Sequence, residues 1–305
     1  MNRQYRAYAM LACAMLFWAG NAIVGRAVRG DVPAATLSLL RWSGAFALLL
    51  PFAWRHLVAD RAALVAGWKR VVGLGLIGVA SFNTLYYFGL HDTTASNALL
   101  LQALIPGLVL VADRAIFGIR PPLAIVGGVV LATLGVAVIV FRGDPAALAA
   151  LALGRGDVLI LIAVTLWALY TSLLKLKPKV HPLSFLAATF GVAVIALVPV
   201  AGVELARGAV VRWSTHSLLA IAYVAVLPSL VSYLLFNQGV AAIGAARAGQ
   251  AINLMPLFGA LLAAGLLGEK LHGYHAIGMT MILAGLVIGL AMTRQPAEDQ
   301  GRTSP

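Results

Sequence analysis

The chain has 305 residues, of which 62% are hydrophobic and 10% are charged, against about 25% charged residues in a typical soluble domain. This composition excludes a water-soluble globular fold, because such a fold has too little interior to bury so much apolar surface. The formal net charge is +12, but the basic residues flank apolar runs and form no stripe, so we expect no nucleic acid among the partners.

Ten apolar runs have the length, about 20 residues, that a helix needs to cross a bilayer. Lipid offers no partner to open backbone groups, so all ten are expected to be helical. We therefore predict an all-α membrane protein with ten transmembrane helices in contact with the lipid bilayer. The predicted spans are 7–28, 33–54, 69–90, 93–117, 121–141, 156–176, 181–205, 213–238, 242–267 and 271–292.

Most of the connections between these spans are short turns, and two are longer. Residues 55–68 are polar and basic and are predicted to form an inner loop, and residues 142–155 an external linker. The polar tail, 294–305, is predicted to be disordered and cytoplasmic.

The distribution of Lys and Arg gives the orientation. They are more frequent on the side that holds the N-terminus, so the positive-inside rule predicts that both termini are cytoplasmic, in a bacterial inner (plasma) membrane. The first apolar run is longer than a signal-peptide core and ends in Asn21 and Arg26, so we expect it to remain as a span. Cys13 is the only cysteine, which excludes a disulfide within the chain and a thiol metal site.

The two halves of the chain, 1–141 and 156–293, align on each other with almost no gaps. Pro106 matches Pro256 at an offset of 150, and Trp18 matches Trp167 at 149. A unit of five spans starts and finishes on opposite sides of the membrane, so the second copy is predicted to be inverted relative to the first. Inverted repeats of this kind are typical of transporters that hold the substrate between the halves, near the bilayer midplane.

The end of the second repeat resembles a known family. Residues 266–288 (LLGEKLHGYHAIGMTMILAGLVI) place Glu269 after the ninth span and two glycines, Gly278 and Gly285, in the tenth. This pattern is similar to the closing signature of the EamA repeat of the drug/metabolite transporter (DMT) superfamily. Arg41 also stands where that family often has an arginine. The resemblance covers both repeats and implies a small-molecule transporter, most similar to the bacterial aromatic amino-acid exporters.

Polar and aromatic residues recur at matched positions in the two halves. An amide in hydrocarbon is costly without a partner, so each should face protein or a water-filled cavity. The alternatives are interhelical hydrogen bonds for the amides and packing or interfacial belts for the rings. The predicted substrate-binding residues are Trp18, Asn21, Arg41, Asn83, Tyr86, Tyr87, Gln102, Trp167, Tyr170, Tyr233, Asn237, Gln250 and Asn253.

Spans 4 and 9 each carry a proline near their middle. Pro106 and Pro256 remove a helix hydrogen bond and free a carbonyl four residues upstream, so we predict helix breaks with a gating role. Gln250 and Asn253, three apart, share a face just before the second break. We interpret both as substrate contacts, with a helix–helix hydrogen bond as the alternative. Gln102 points about 100° away from the equivalent face.

Arg41 is the formal charge that lies furthest inside a span. A buried arginine needs acceptors. Freed backbone carbonyls would give it a structural role, which we favour, and a substrate carboxylate would give it a binding role.

The acidic residues and the histidines fall in loops, tails or span ends. Proton-coupled antiporters generally need an intramembrane carboxylate or histidine, so we expect facilitated uniport, with proton antiport as the alternative. The sequence shows no cluster that would bind a metal or cofactor and no catalytic motif. We therefore expect no metal, no cofactor and no enzymatic activity.

Together these features predict an exporter of aromatic and other apolar amino acids, or of similar small metabolites, by alternating access. One alternative is a broad-specificity drug or metabolite exporter with proton antiport. An alternative from another class is a lipid scramblase or a structural membrane protein. Because one chain contains both halves, a monomer is expected to suffice.

Overall fold

The fold was analysed in a computed structural model, which describes residues 3–93, 95–144, 146, 154–267 and 271–291. The described residues form helices joined by short turns, with no strand among them. Glu269, most of the predicted linker 142–155 and the predicted tail 294–305 lie outside the described residues.

The helices follow the predicted spans, except that the second is much longer than predicted. Two π-helical segments, Gly75–Ser81 and Val226–Val231, interrupt the third and eighth spans, and the 3-10 turns Leu174–Leu176 and Ala251–Asn253 follow α8 and α12. The α-helices are α1 (Arg3–Ala27), α2 (Ala34–Ala66), α3 (Trp68–Leu74), α4 (Phe82–Asp92), α5 (Ala95–Gln102), α6 (Ile105–Phe117), α7 (Leu123–Val140), α8 (Arg155–Leu173), α9 (Pro182–Ala206), α10 (Thr215–Ala225), α11 (Ser232–Ile243), α12 (Ala245–Gln250), α13 (Leu254–Leu267) and α14 (Gly273–Ala291).

Eight helical segments within the described residues are long and apolar enough to cross a membrane, so the chain is a multi-pass membrane protein. The predicted ninth span consists of α12 and α13 with a break between them, and the tenth is α14, whose apolar part is the shorter segment Gly273–Ile288. The count of ten crossings stays a prediction.

The predicted inner loop 55–68 is wrong, because α2 continues as a single helix of 33 residues to Ala66. Residues 55–66 (RHLVADRAALVA) contain no glycine or proline and several strong helix formers, and Gly67 ends the helix. A helix of this length spans about 50 Å, well beyond a hydrocarbon core of about 30 Å. Its basic end therefore projects from the membrane as a helix.

Helices α7 and α14, which occupy equivalent positions in the two halves, pack against each other through glycines. A Cβ atom on Gly128 would lie 2.5 Å from the carbonyl oxygen of Gly285, and one on Gly135 would lie 2.7 Å from that of Gly278. Only glycine permits so close an approach of two backbones. The order of these contacts shows that the two helices run antiparallel.

Helices α2 and α9 form the second pair of equivalent helices in contact. Glu204, near the end of α9, accepts hydrogen bonds from Ala35 N (3.0 Å) and Thr36 N (2.8 Å) at the start of α2. Asp60, near the end of α2, accepts one at 2.8 Å from His181 N at the start of α9. Each acid satisfies otherwise unpaired N–H groups of the other helix. The pair is therefore also antiparallel, with reciprocal caps at its two ends.

The remaining contacts bring four helices to the centre. Helix α4 packs against α8, and α1 packs against α11. Helix α4 is equivalent to α11 and α8 is equivalent to α1, so the two pairs are equivalent contacts of the two halves. The main core lies between them and includes large aromatic side chains from both halves, namely Trp18, Trp42, Trp167, Tyr170, Tyr233 and Phe236.

We expect Gly128→Ala to lower the unfolding temperature of the detergent-solubilised protein by a few degrees. The new methyl group would collide with the carbonyl of Gly285, and overpacking of this kind costs about 1–3 kcal/mol. The control is Gly127→Ala, whose Cβ would meet nothing within 4 Å and which should not lower the unfolding temperature. Equal unfolding temperatures for the two variants, measured by a fluorescence melt, would contradict the glycine contact.

Candidate functional site

The two π-helical segments place free backbone carbonyls at the centre of the molecule. A π-helical turn breaks the regular i→i−4 pattern and is frequent at functional sites. Gly78 O accepts a hydrogen bond from Tyr233 Oη at 2.7 Å, and Pro228 O accepts one from Trp18 Nε1 at 2.7 Å. Gly78 and Pro228 are 150 residues apart and so are equivalent. Sequence reasoning missed both segments, although a glycine and a proline at matched positions were an available signal.

Two hydrogen bonds of the same kind flank this centre. Tyr87 Oη donates to Asn21 Oδ1 at 2.9 Å, and Tyr170 Oη donates to Asn237 Oδ1 at 3.0 Å. Exchange of the halves maps Tyr87 onto Asn237 and Asn21 onto Tyr170. The two halves therefore form the same tyrosine–asparagine bond with the residue types interchanged.

Other residues touch their own equivalents. Asn83 Nδ2 donates to Tyr233 Oη at 3.2 Å, across 150 residues of sequence. Trp18 and Trp167 pack edge to face with ring centroids 5.1 Å apart. Contacts between equivalent residues form only where the two halves meet. These four side chains therefore mark the centre of the molecule.

Arg41 lies directly beside this centre, with 1% of its surface exposed. Its guanidinium donates to four side chains and to one carbonyl, and it packs over the Trp42 ring at 4.9 Å. No carboxylate among the described residues lies within ion-pair distance of it. We predicted backbone carbonyls as the partners of Arg41, but only one of its five acceptors is a backbone carbonyl, that of Pro228. The acceptors are Asn83 Oδ1 (2.9 Å), Tyr87 Oη (2.9 Å), Asn21 Oδ1 (3.2 Å), Pro228 O (3.2 Å) and Ser229 Oγ.

A small central cavity of about 30 Å³ lies between the two halves. It has room for one or two water molecules, so the cavity is closed to any ligand of the size of an amino acid. Seven predicted site residues line it: Trp18, Asn21, Asn83, Tyr86, Gln102, Trp167 and Tyr233. Four others were not predicted: Phe82, Ile105, Ile252 and Met255. Phe82 had a signal, because it lies one helical turn before Tyr86, whereas the aliphatic residues had none.

The predicted helix breaks border this cavity. The chain leaves the α-helix at residues 103–104, between α5 and α6, and at the 3-10 turn Ala251–Asn253. Pro106 lies in the first turn of α6 and Pro256 in the first turn of α13. The carbonyl of Ala103 at the first break accepts a hydrogen bond from Thr133 Oγ1 at 3.1 Å.

The three predicted amides near these breaks have different surroundings. Gln102 Nε2 donates to Tyr86 Oη at 2.8 Å within the cavity wall. Gln250 Nε2 donates to Gly285 O at 2.9 Å, which is the helix–helix bond considered as its alternative. Asn253 is fully buried, and neither its Oδ1 nor its Nδ2 has a partner among the described residues. Such an amide is costly to bury, which makes it the least satisfied polar group of the centre.

Sequence reasoning also missed an ion pair between a buried carboxylate and an exposed lysine at one end of the helices. Asp113, which is 4% exposed, lies 2.6 Å from Lys175 Nζ and accepts a hydrogen bond from Ser172 Oγ. The pair joins the end of α6 to the end of α8 and does not line the central cavity. Its sequence signal was weak, because the two residues are far apart in the chain.

In the part of the chain that is described, no group of three His, Cys, Asp or Glu residues could hold a metal ion.

The chain resembles known transporters over most of its length. It is 27% identical to the uncharacterized transporter YyaM of Bacillus subtilis (strain 168) over 283 residues, 86% of this chain and 91% of that protein. It is 27% identical to an uncharacterized transporter of Archaeoglobus fulgidus over 294 residues, 95% of this chain and 99% of that protein. A solved crystal structure shares the fold with a TM-score of 0.76, at 18% identity over 95% of this chain and 98% of that chain.

The family resemblance found in the sequence is confirmed by a direct match. The EamA-like transporter family matches residues 5–141 and 154–290. These two matches correspond to the two halves whose equivalent side chains meet at the central cavity. The chain therefore belongs to the EamA-like transporter family and is a membrane transporter.

Proposed function

We propose that this transporter exports aromatic and other apolar amino acids, or similar small metabolites, across a bacterial inner membrane with both termini cytoplasmic. The observation that carries the proposal is the central cavity, which lies between the two halves and is lined by aromatic rings and amides. Pockets of this composition take small molecules with an apolar body and a few polar groups.

Alternating access by two inverted five-helix repeats is the proposed mechanism. The antiparallel packing of α7 with α14 and of α2 with α9 supports the inversion. In such a pair, exchange of the conformations of the two halves converts an inward-facing state into an outward-facing one. The closed cavity corresponds to an intermediate in which neither side is open. The chain contains both halves, so a monomer is the proposed working unit.

The chemistry of the lining supports the proposed substrate class. The rings of Trp18, Phe82 and Trp167 offer flat apolar walls, and the amides of Asn21 and Asn83 offer polar contacts. A nucleotide sugar would require several cations around its diphosphate, and the described lining holds none. On opening, Asn253 would gain the partners that it lacks in the closed state.

We propose facilitated transport without proton coupling. The described lining of the cavity contains no carboxylic acid and no histidine, the groups that carry protons in coupled transporters. The alternative, a broad-specificity exporter with proton antiport, is favoured by one observation, the buried Asp113 beside Lys175.

The substrate proposal is tested with the purified protein in sealed liposomes. We expect radiolabelled phenylalanine and tryptophan to cross, and threonine or methionine more slowly, relative to protein-free liposomes. Trp18→Phe removes the indole that borders the cavity and should lower the rate about tenfold, as lost pocket contacts commonly do. The matched control is Trp54→Phe, because Trp54 is 60% exposed. The failure of all four amino acids to cross would contradict the proposed substrate class.

The energy-coupling proposal is tested in the same liposomes with an imposed pH gradient. We expect phenylalanine flux to follow the phenylalanine gradient and to change less than about twofold with the pH gradient, because no lining group binds a proton. Asp113→Asn should retain this flux while lowering thermal stability, since the buried side chain loses its ion pair with Lys175 and its charge-assisted hydrogen bond from Ser172. Flux that strictly requires a pH gradient, and that Asp113→Asn uncouples from it, would establish proton antiport instead.

A further inference from the structure

The orientation of two amides in the cavity wall is fixed by Arg41. A guanidinium has only donors, so an amide beside it must turn its oxygen toward it. Arg41 Nη1 lies 3.2 Å from Asn21 Oδ1 and 2.9 Å from Asn83 Oδ1. Tyr87 Oη donates a second hydrogen bond to Asn21 Oδ1. Neither amide can be reversed without placing its NH2 group against the guanidinium.

The consequence is that the cavity presents hydrogen-bond donors. Asn21 Nδ2 donates to no acceptor among the described residues, and Asn83 Nδ2 donates one of its two hydrogens to Tyr233 Oη. Tyr86 Oη accepts from Gln102 Nε2 and donates to no described acceptor. All of these side chains line the cavity. The N–H and O–H groups that remain there require an acceptor from a ligand.

The charge behind these donors is positive and has no counterion in the protein that the structure describes. Arg41 is 1% exposed and its acceptors are all neutral. An isolated buried charge is costly. The equivalent position in the other half is Phe190, at an offset of 149, so the positive charge belongs to one half only. A negatively charged acceptor is the ligand group that satisfies both the donors and the charge.

We propose that Arg41, acting through Asn21 and Asn83, makes the central cavity selective for a carboxylate, so that the substrates are aromatic or apolar carboxylates. This inference rests on the proposed transport through this cavity but not on the substrate being an amino acid. Arg41 is a positioning residue: it lies behind the wall, sets the amide orientation and supplies the charge. A merely structural arginine would tie the helices together without changing the preference among ligands.

The test compares carboxylic acids with the corresponding amides on the purified full-length protein. The probes are 3-phenylpropanoate, 3-phenylpropanamide, L-phenylalanine and L-phenylalaninamide, and their affinities are measured by titration calorimetry at neutral pH. We expect each acid to bind at least about tenfold more tightly than its amide, because charge-assisted hydrogen bonds are roughly twice as strong as neutral ones. Equal affinities for acid and amide would overturn the inference, and so would the binding of no probe.

The decisive variant is Asn21→Asp, which keeps the shape of the side chain. The new carboxylate would neutralise Arg41 and remove the NH2 donor, so the fold should be retained and the preference for acids should fall at least about tenfold. Gln4→Glu makes the same chemical change at an exposed position and should leave the preference unchanged. A preference that survives in Asn21→Asp would also overturn the inference.

The same data separate the two proposals. Binding of 3-phenylpropanoate without binding or transport of phenylalanine would contradict amino-acid export and leave the carboxylate selectivity standing. Transport of phenylalanine together with equal binding of phenylalaninamide would support amino-acid export and reject the role of Arg41.

Discussion

The structure depends on one constraint: in a bilayer every buried polar group must find its partner within the protein. The centre meets this constraint with a continuous network. The π-helical segments supply carbonyls at Gly78 and Pro228. Arg41 donates to Pro228 O and to side chains of α1 and α4, namely Asn21, Asn83 and Tyr87. Tyr233 joins Asn83 to Gly78 O. The network holds helices from both halves in one arrangement. Some of the polar residues that line the cavity, such as Asn21, Asn83 and Tyr233, therefore also hold helices of the two halves together.

Equivalent residues of the two halves form similar contacts at the centre of the molecule. Where the halves meet, side chains contact their own equivalents: Trp18 packs on Trp167, and Asn83 bonds to Tyr233. Further from this point, each half contributes to a tyrosine–asparagine hydrogen bond, Tyr87 to Asn21 and Tyr170 to Asn237. At equivalent positions the tyrosine and the asparagine are interchanged, so the bond is kept although the residue types differ. Departures from this correspondence, such as Arg41 opposite Phe190, place a charge in one half that the other half lacks.

Some features of this structure can be predicted from the residue pattern, and others depend on how the helices pack. Helix positions and the matched polar residues were predictable, because length, hydropathy and the repeat offset determine them. The extension of α2 as a helix to Ala66 was not predictable, since the residues of 55–66 are compatible with either a loop or a projecting helix. The Asp113–Lys175 pair and the separate surroundings of Gln250 and Asn253 depend on how α6, α8 and α14 cross. Contacts of that kind arise from packing and leave no local pattern.

The glycine contact between α7 and α14 has a thermodynamic consequence. It joins equivalent helices, so in the proposed alternating-access cycle an exchange of the conformations of the two halves would regenerate the same glycine contacts. These contacts would then have nearly the same free energy in both open states and would favour neither. In the proposed cycle, any imbalance in the populations of the two open states would come from residues without an equivalent partner, among which Arg41, Asp113 and Asp157 are buried and charged within the described chain.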